Sequence, residues 1–333
     1  MFLCIKRYSI HHQNCITNRL IYLQPRELLM NSKSLSLLLF VSVCLIWGTT
    51  WFAMEVALHS IPPIFATALR FFLAAPLLII LAKSFGQPLM FPKGRRQWVI
   101  IVAIMYFAIP FTLMIYGEQY ISSGLASIIF ANMPVAVMAV SSLFLGLRLS
   151  KHQLFGLVVA VVSLCLILSN EMNVGGSDYL IGTASLALAV AFHALMYVLV
   201  RKYCGDIQVL TYNALPCLVA SLLLFIVSML GEKVTIQAFT YDSVAAVVYL
   251  GLVASVGGIV AYFKLGQVST PFQASICFLI FPIVALVISA ILSGDMLSEQ
   301  SFILMAPLLM GILLTKAPAK LFKLKSNSLT VKS

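Results

Sequence analysis

Long apolar runs alternate with short polar breaks along nearly the whole chain. The runs lie near 35–54, 62–83, 97–117, 122–146, 152–170, 181–200, 209–230, 243–264, 271–294 and 299–316. Each approaches the ~20 residues that an α-helix needs to cross a hydrocarbon core about 30 Å thick. Breaks such as Ser60-Ile61-Pro62-Pro63 and Thr270-Pro271 end one run and open the next, because proline stops the preceding helix. The pattern predicts an all-α polytopic membrane protein with ten transmembrane helices.

Composition strengthens that reading. Of 333 residues, 62% are hydrophobic and 9% charged, whereas a soluble domain carries roughly 25% charged residues. Ten spans with short loops use almost the full length, which leaves no room for a large soluble domain. The net charge of +11 does not point to nucleic acid, since the basic residues are scattered between apolar runs and form no single basic stretch. The seven cysteines include no CxxC pair. Cys44, Cys165, Cys217 and Cys277 fall inside spans, as small apolar residues do. No disulfide framework, metal site or cofactor is expected. The sequence holds no GxxxxGK[ST] loop, so the chain itself is not expected to use ATP.

Charge sorts the connections into two sets. One holds Lys83, Lys93, Arg95, Arg96, Arg148, Lys151, Arg201, Lys202 and Lys264, and the basic tail 317–333 extends it. The other holds Glu55, Glu118, Glu171, Asp178, Glu232, Asp242, Asp295 and Glu299, with Lys233 as its base. Lys and Arg concentrate in cytoplasmic loops, so both termini are predicted to be cytoplasmic, in keeping with an even number of spans.

Sliding the chain against itself by 148 residues aligns 117–151 on 265–299 without a gap, with ten identities in 35 positions. Gln119 falls on Gln267, Ala126-Ser127-Ile128 on Ala274-Ser275-Ile276, and Phe130 on Phe278. Pro134 falls on Pro282, Gly146 on Gly294, and Leu149-Ser150 on Leu297-Ser298. Apolar bias alone does not readily match Pro, Gly, Gln and Ser at fixed spacing. The predicted units are an extension 1–34, a five-helix repeat 35–170, a second repeat 181–316 and the tail. Five helices is an odd number, so the halves are expected to be inverted relative to each other. Arg148 and Lys151 follow the fourth span, whereas Asp295 and Glu299 follow the ninth. Inverted repeats are the architecture of secondary transporters, which rock about a central site.

The stretch Leu45-Ile46-Trp47-Gly48-Thr49-Thr50-Trp51-Phe52-Ala53, followed by Ile61-Pro62-Pro63 and Ala68-Leu69-Arg70-Phe71, resembles the opening of EamA-type proteins of the drug/metabolite transporter superfamily. Gly124-Leu125-Ala126-Ser127 through Pro134 to Gly146-Leu147-Arg148-Leu149-Ser150 fits the same family, as does its second copy from Ala274 to Ser298. The resemblance covers roughly 35–316. It implies a ten-helix carrier in the bacterial inner membrane that moves small metabolites, commonly amino acids or related compounds and often outward. Gly146-Leu147 departs from the Gly-Glu common in the family at the end of the fourth span, while Asp295 keeps an acid in the second half.

Polar groups at membrane depth are costly unless paired or hydrated, and so mark candidate transport residues. Arg70 lies about eight residues, or roughly 12 Å, into the second span. It either pairs with Glu55 or Glu118 or meets a substrate carboxylate. Asn132 and His193 fall near the midplane, with Tyr197 one turn beyond His193. Asn132 either bonds substrate or another helix; His193 relays protons or bonds a neighbour. Trp47 and Tyr106 are deep enough to line a cavity or pack in the core, whereas Trp51 suits an interfacial anchor. Pro134 and Pro282 are candidate hinges, and Glu118 and His193 are candidate proton-coupling groups. Expected partners are a small-molecule substrate, lipid and protons.

A membrane enzyme would need a clustered motif such as HExxH, and His59, His152 and His193 stand apart in the sequence. A channel would need a filter-like polar segment, which the spans do not repeat. The carrier reading is therefore preferred.

Residues 1–29 differ in character from the rest of the chain and lack signal-peptide features, while Met30 precedes a polar NSKS and a full span. Met30 is thus the expected natural start. Mass spectrometry of the native N-terminus should find Met30 or Asn31 first; a peptide from upstream would refute it.

Overall fold

The computed structural model describes residues 32–146, 149–175 and 178–316. The extension through residue 31, Arg148 and the tail 317–333 lie outside the described residues. Within them the chain is helical, and ten helices are long and apolar enough to span a membrane. These are α1 (Lys33–Leu58), α2 (Pro63–Ser84), α3 (Lys93–Gly117), α4 (Ser123–Leu145) and α5 (Lys151–Glu171). They continue as α6 (Asp178–Cys204), α7 (Val209–Gly231), α8 (Tyr241–Val268), α9 (Gln273–Ser293) and α10 (Glu299–Lys316). The ends agree with the apolar runs to within a few residues, and the polar breaks account for that agreement.

The helices pair in a regular way. The most extensive self-matched pairs are α2 with α7 and α5 with α10, and α4 also packs on α9. The contacts of α1 with α8 and α9 are mirrored by those of α6 with α3 and α4, and those of α2 with α8 by α7 with α3. Adding five to each helix number therefore carries this set of pairings onto itself.

Lipid supplies no hydrophobic drive between helices, so tight packing rests on small residues that let backbones approach. Gly156 on α5 and Gly311 on α10 do this directly. A Cβ built on Gly156 would sit 2.7 Å from the Gly311 carbonyl oxygen, and one on Gly311 would sit 2.6 Å from the Ala160 backbone nitrogen. The obstacles are backbone atoms, which cannot rotate aside. Gly146 and Gly294, matched by the 148-residue offset, end α4 and α9 in the left-handed region, with φ of +62° and +77°. Any other L-residue would be strained there.

Several spans depart from regular α-helix. Ala103–Ala108 in α3 and Leu250–Gly257 in α8 are π-helical, and the offset maps the first onto 251–256 within the second. Such segments widen the turn and redirect side chains, often at functional sites. Here the wider turn lets the Ser255 hydroxyl donate to the Leu250 carbonyl five residues back, at 2.8 Å. α4 is interrupted at Asn132, with Pro134 in the first turn of the continuing helix. α9 is interrupted at Ile276, while Pro282 lies within a continuing helix segment.

The two ends of the bundle differ chemically. At one end α1 and α3 finish while α4 and α6 begin, and Glu55, Glu118, Tyr179 and Asp295 border one cleft. Helix N-termini at this acidic end are capped by carboxylates from other helices. The amides of Ile64 and Phe65, opening α2, donate to the two Glu232 oxygens at 2.8 and 2.9 Å. The Ser298 amide and hydroxyl, beside the start of α10, donate to Glu171 at 3.1 and 2.8 Å. Both carboxylates also favour the positive end of a helix dipole. At the opposite, basic end, Arg95 donates to Asp206 through Nη2 at 2.7 Å and to the Tyr203 carbonyl at 3.0 Å. Arg95 thus holds the Asp206 carboxyl below the usual carboxylate range. Asp206 is an acid within the base-rich set of connections, and it ties the loop between α6 and α7 to the start of α3.

Substitutions at two positions test this packing. Gly311→Val should lower thermal stability by about 1–3 kcal/mol, because α5 and α10 must separate; Gly94→Ala, with open space around it, should not. Melting followed by fluorescence-detected size exclusion would compare them, and equal melting of both variants would refute the contact. Glu232→Ala should cost about 0.5–2 kcal/mol through the lost cap on α2, measured the same way.

Candidate functional site

The Arg70 side chain is only 6% exposed. Its Nε donates to the Ser255 hydroxyl at 2.8 Å, and Nη1 makes a long contact of 3.6 Å to the Met54 sulfur. The guanidinium carbon lies 4.9 Å from the centre of the Phe111 ring. Of the two readings of Arg70, the ion pair with Glu55 or Glu118 is not formed. Glu118 is within electrostatic range but has no hydrogen-bond partner on either oxygen, and Glu55 accepts from the Ser293 hydroxyl at 2.6 Å. The reason is packing: α8 brings Ser255 and α1 brings Met54 against the guanidinium, ahead of either carboxylate.

Magnitudes show what this environment does. A basic residue at the centre of a spanning helix costs about 2.5–3.5 kcal/mol on insertion scales. A hydrogen bond to a charged group returns about 1.5–3 kcal/mol, and a desolvated cation–π contact about 2 kcal/mol. Ser255 and Phe111 therefore make Arg70 tolerable without neutralising it. A guanidinium has five N–H donors in a planar fork, and the bonds to Ser255 and Met54 occupy two of them.

Phe111 joins Arg70 to a second polar group. Its ring centre is 5.1 Å from that of His193, which also meets Tyr106 at 5.1 Å and Phe130 at 5.5 Å. His193 is 3% exposed, and its Nδ1 lies 3.1 Å from the Ala189 carbonyl oxygen one turn back. That bond assigns the hydrogen of the neutral ring to Nδ1 and leaves Nε2 as the acceptor. Tyr106 sits in the π-helical part of α3 and meets Tyr212 at 5.2 Å. The structure thus assembles Arg70, Phe111, His193 and Tyr106 from α2, α3 and α6.

The remaining candidates are placed elsewhere. Trp47 belongs to another aromatic group, with ring centres 4.9 Å from Tyr262 and 5.6 Å from Phe278. Trp51 is 3% exposed and packs on Phe130 at 5.4 Å. An interfacial anchor would keep contact with headgroups, so that expectation for Trp51 is corrected. Asn132 is buried at the break in α4; its amide nitrogen donates to the Ile128 carbonyl at 3.0 Å, leaving Oδ1 without a partner. Tyr197 is half-exposed, within electrostatic range of Tyr106 and Tyr262. Ser255 and Phe111 escaped the sequence reading. A signal for Ser255 was present, because Ala254-Ser255-Val256-Gly257-Gly258 is a small-residue segment inside a span. Phe111 is one of 22 phenylalanines, and nothing in the pattern singles it out.

Glu118 caps the end of α3 and borders the acidic cleft with Glu55 and Asp295. Burial, reinforced by nearby Glu55 and partly opposed by Arg70, raises its carboxyl well above the usual carboxylate range.

The chain is 45% identical over 286 residues to Protein PagO of Salmonella typhimurium, covering 86% of this chain and 94% of that protein. It is 42% identical to an uncharacterized transporter of Buchnera aphidicola from Schizaphis graminum, covering 87% and 97% of the two chains. The uncharacterized inner membrane transporter YedA of Escherichia coli K12 is 26% identical, with 84% and 90% covered. One solved crystal structure superposes with a TM-score of 0.63 at 16% identity, covering 87% of this chain and 99% of the other, a likeness in fold. One family description, the EamA-like transporter family, matches twice in tandem, over residues 34–169 and 180–316. This multi-pass membrane protein therefore belongs to the EamA-like transporter family.

Proposed function

We propose that the protein is a secondary transporter that exports small metabolites, amino acids or related compounds, across the bacterial inner membrane by alternating access. The observation that carries this reading is Arg70, a buried guanidinium with a hydroxyl, a sulfur and an aromatic ring around it but, among the described residues, no carboxylate bonded to it. A substrate carboxylate supplies the missing counter-charge through the open part of the fork. Tyr106, His193 and Phe111 form the adjoining wall, with Trp47, Asn132 and Tyr197 as further contacts along the path.

Two five-helix repeats, 35–170 and 181–316, are the moving bodies, inverted with both termini cytoplasmic. The exchange-symmetric pairing and the meeting of the end of α1 with the start of α6 support that arrangement. The acidic end then faces away from the cytoplasm. Pro134 and Pro282 serve as hinges in α4 and α9, supported by the interruption next to Pro134. Protons drive export through Glu118 or His193. No observation favours a channel or a membrane enzyme over this reading.

Reconstitution into proteoliposomes with a panel of metabolites, with and without a pH gradient, tests it. Selective, saturable flux is expected; no selective flux would overturn the carrier reading, and currents at channel rates would favour a pore. Arg70→Lys keeps the charge but loses the bidentate fork. Its transport should fall at least tenfold while the protein stays in the membrane at normal levels. Full transport in that variant would make Arg70 a packing residue. His193→Gln should flatten the pH dependence of flux if the proton travels through the imidazole, and unchanged pH dependence would assign coupling to Glu118.

A further inference from the structure

The acidic end holds a cleft of about 220 Å³ that the central site does not use. Glu55, Glu118 and Asp295 border it together with Gln119, Tyr120 and Tyr179, and among the described residues no Lys or Arg lines it. One water needs roughly 10–15 Å³ of such space, so the cleft admits a solute of several heavy atoms. Both Glu118 oxygens and Oε2 of Glu55 are buried without hydrogen-bond partners. Glu118 is 6% exposed, and its carboxylate is the deepest charge bordering the cleft. A buried acceptor without a donor is expensive, and three carboxyl groups around one space favour a positive guest.

The nature of that guest can be narrowed. A bare metal ion requires several ligands within about 2.0–2.6 Å of one point. Among the described residues no group of three or more acidic, His or Cys side chains is arranged that way. A larger cation with several N–H donors suits carboxylates spread around a cleft, and Tyr120 and Tyr179 in the lining are residues of the type that attracts cations. We propose that this cleft is a binding subsite for a small organic ammonium ion, with Glu118 as its principal counter-charge and Glu55 and Asp295 as secondary ones.

The subsite extends the reading of Glu118 as a proton-carrying group, since ammonium and proton compete for one carboxylate. The charges acting on Glu118 are Glu55 on α1 and Arg70 on α2, and Tyr120 in its own loop, Tyr179 on α6 and Asp295 after α9 line the same cleft. Asp178 acts on Tyr120, and Glu171 on Tyr179, from further out. Burial first and Glu55 second raise the Asp295 carboxyl as well. Binding therefore strengthens as pH rises and these carboxyls lose their protons.

Equilibrium binding of radiolabelled methylammonium to the purified full-length protein in detergent, between pH 6 and 9, tests the subsite. Saturable binding is expected, at least tenfold tighter at pH 9 than at pH 6, with acetamide unable to compete. Glu118→Gln should weaken it at least tenfold, and Asp295→Asn, at an exposed loop, about threefold. Wild-type affinity in both variants, or equal competition by acetamide, would overturn the proposal. If Glu118→Gln does not fold, Asp295→Asn decides alone, in either direction. No flux is measured, so failure here leaves the carrier reading to the proteoliposome assay.

Discussion

Arg70 is a permanent charge taken out of water and surrounded by a hydroxyl, a thioether and an aromatic ring in place of a counter-ion. Much of the central structure can be traced to that requirement. The π-helical stretch of α8 turns Ser255 toward α2, where its oxygen accepts from Nε while its own hydrogen goes to the Leu250 carbonyl. Phe111, three residues past the π-helical stretch of α3, presents its ring to the guanidinium on one side and to His193 on the other. The stretch in α8 therefore touches the charge directly through Ser255, and the one in α3 precedes the turn that presents Phe111 to it. A regular α-helix through either would place its side chains on a different angular schedule, and the group around Arg70 would not form as observed.

The acidic end applies electrostatics differently. Glu232 and Glu171 each satisfy amides at the start of a helix they do not belong to, which is ordinary compensation for exposed helix termini. Glu118 has no such duty. It sits at the end of its own helix, where the dipole is unfavourable to an anion, and finds no donor. Burial and that position both favour its protonated form. The contrast with Glu232, which accepts from two amides and the Ser228 hydroxyl at 2.6 Å, separates a carboxylate that holds the fold from one without a hydrogen-bond partner among the described residues.

Much of the fold was legible in the sequence because lipid imposes a length on every span and the loops carry the remaining charge. The matched glycines were legible for a related reason: Gly146 and Gly294 both occupy left-handed helix ends that disfavour other residues. The site was less so. Arg70 and His193 could be singled out by polarity at depth, but the partners of Arg70 could not. Pairing with Glu55 or Glu118 was one of two readings of Arg70, beside a substrate carboxylate, and charge alone does not reveal that Ser255 and Met54 reach the guanidinium instead. The π-helical stretches were invisible for another reason. Ala103–Ala108 and Leu250–Gly257 are almost wholly apolar, so no polar face marks the period of their turns. Asp206 was hidden in a base-rich connection, where only the tertiary structure shows its tie to Arg95.

The scaffold and its chemistry do not share the same symmetry. Helix pairings survive the exchange of halves, and so do the ends of α4 and α9 and the paired π-helical stretches. Several serines and a glutamine survive it, but the site's charged and amide groups do not. The ungapped offset carries Glu118 onto Gly266 and Asn132 onto Ile280, and α7, the counterpart of α2, contains no Lys, Arg, Asp or Glu. In the proposed alternating-access carrier, a packing that maps onto itself would let the same contacts be remade with the halves interchanged. Under that proposal Arg70 and Glu118, which have no charged counterpart at the offset, would bias the balance between the two arrangements. A ligand or proton that binds one arrangement more tightly then shifts the population by the difference in affinity. On the proposed reading, the symmetric frame would provide the two states and the asymmetric charges what selects between them.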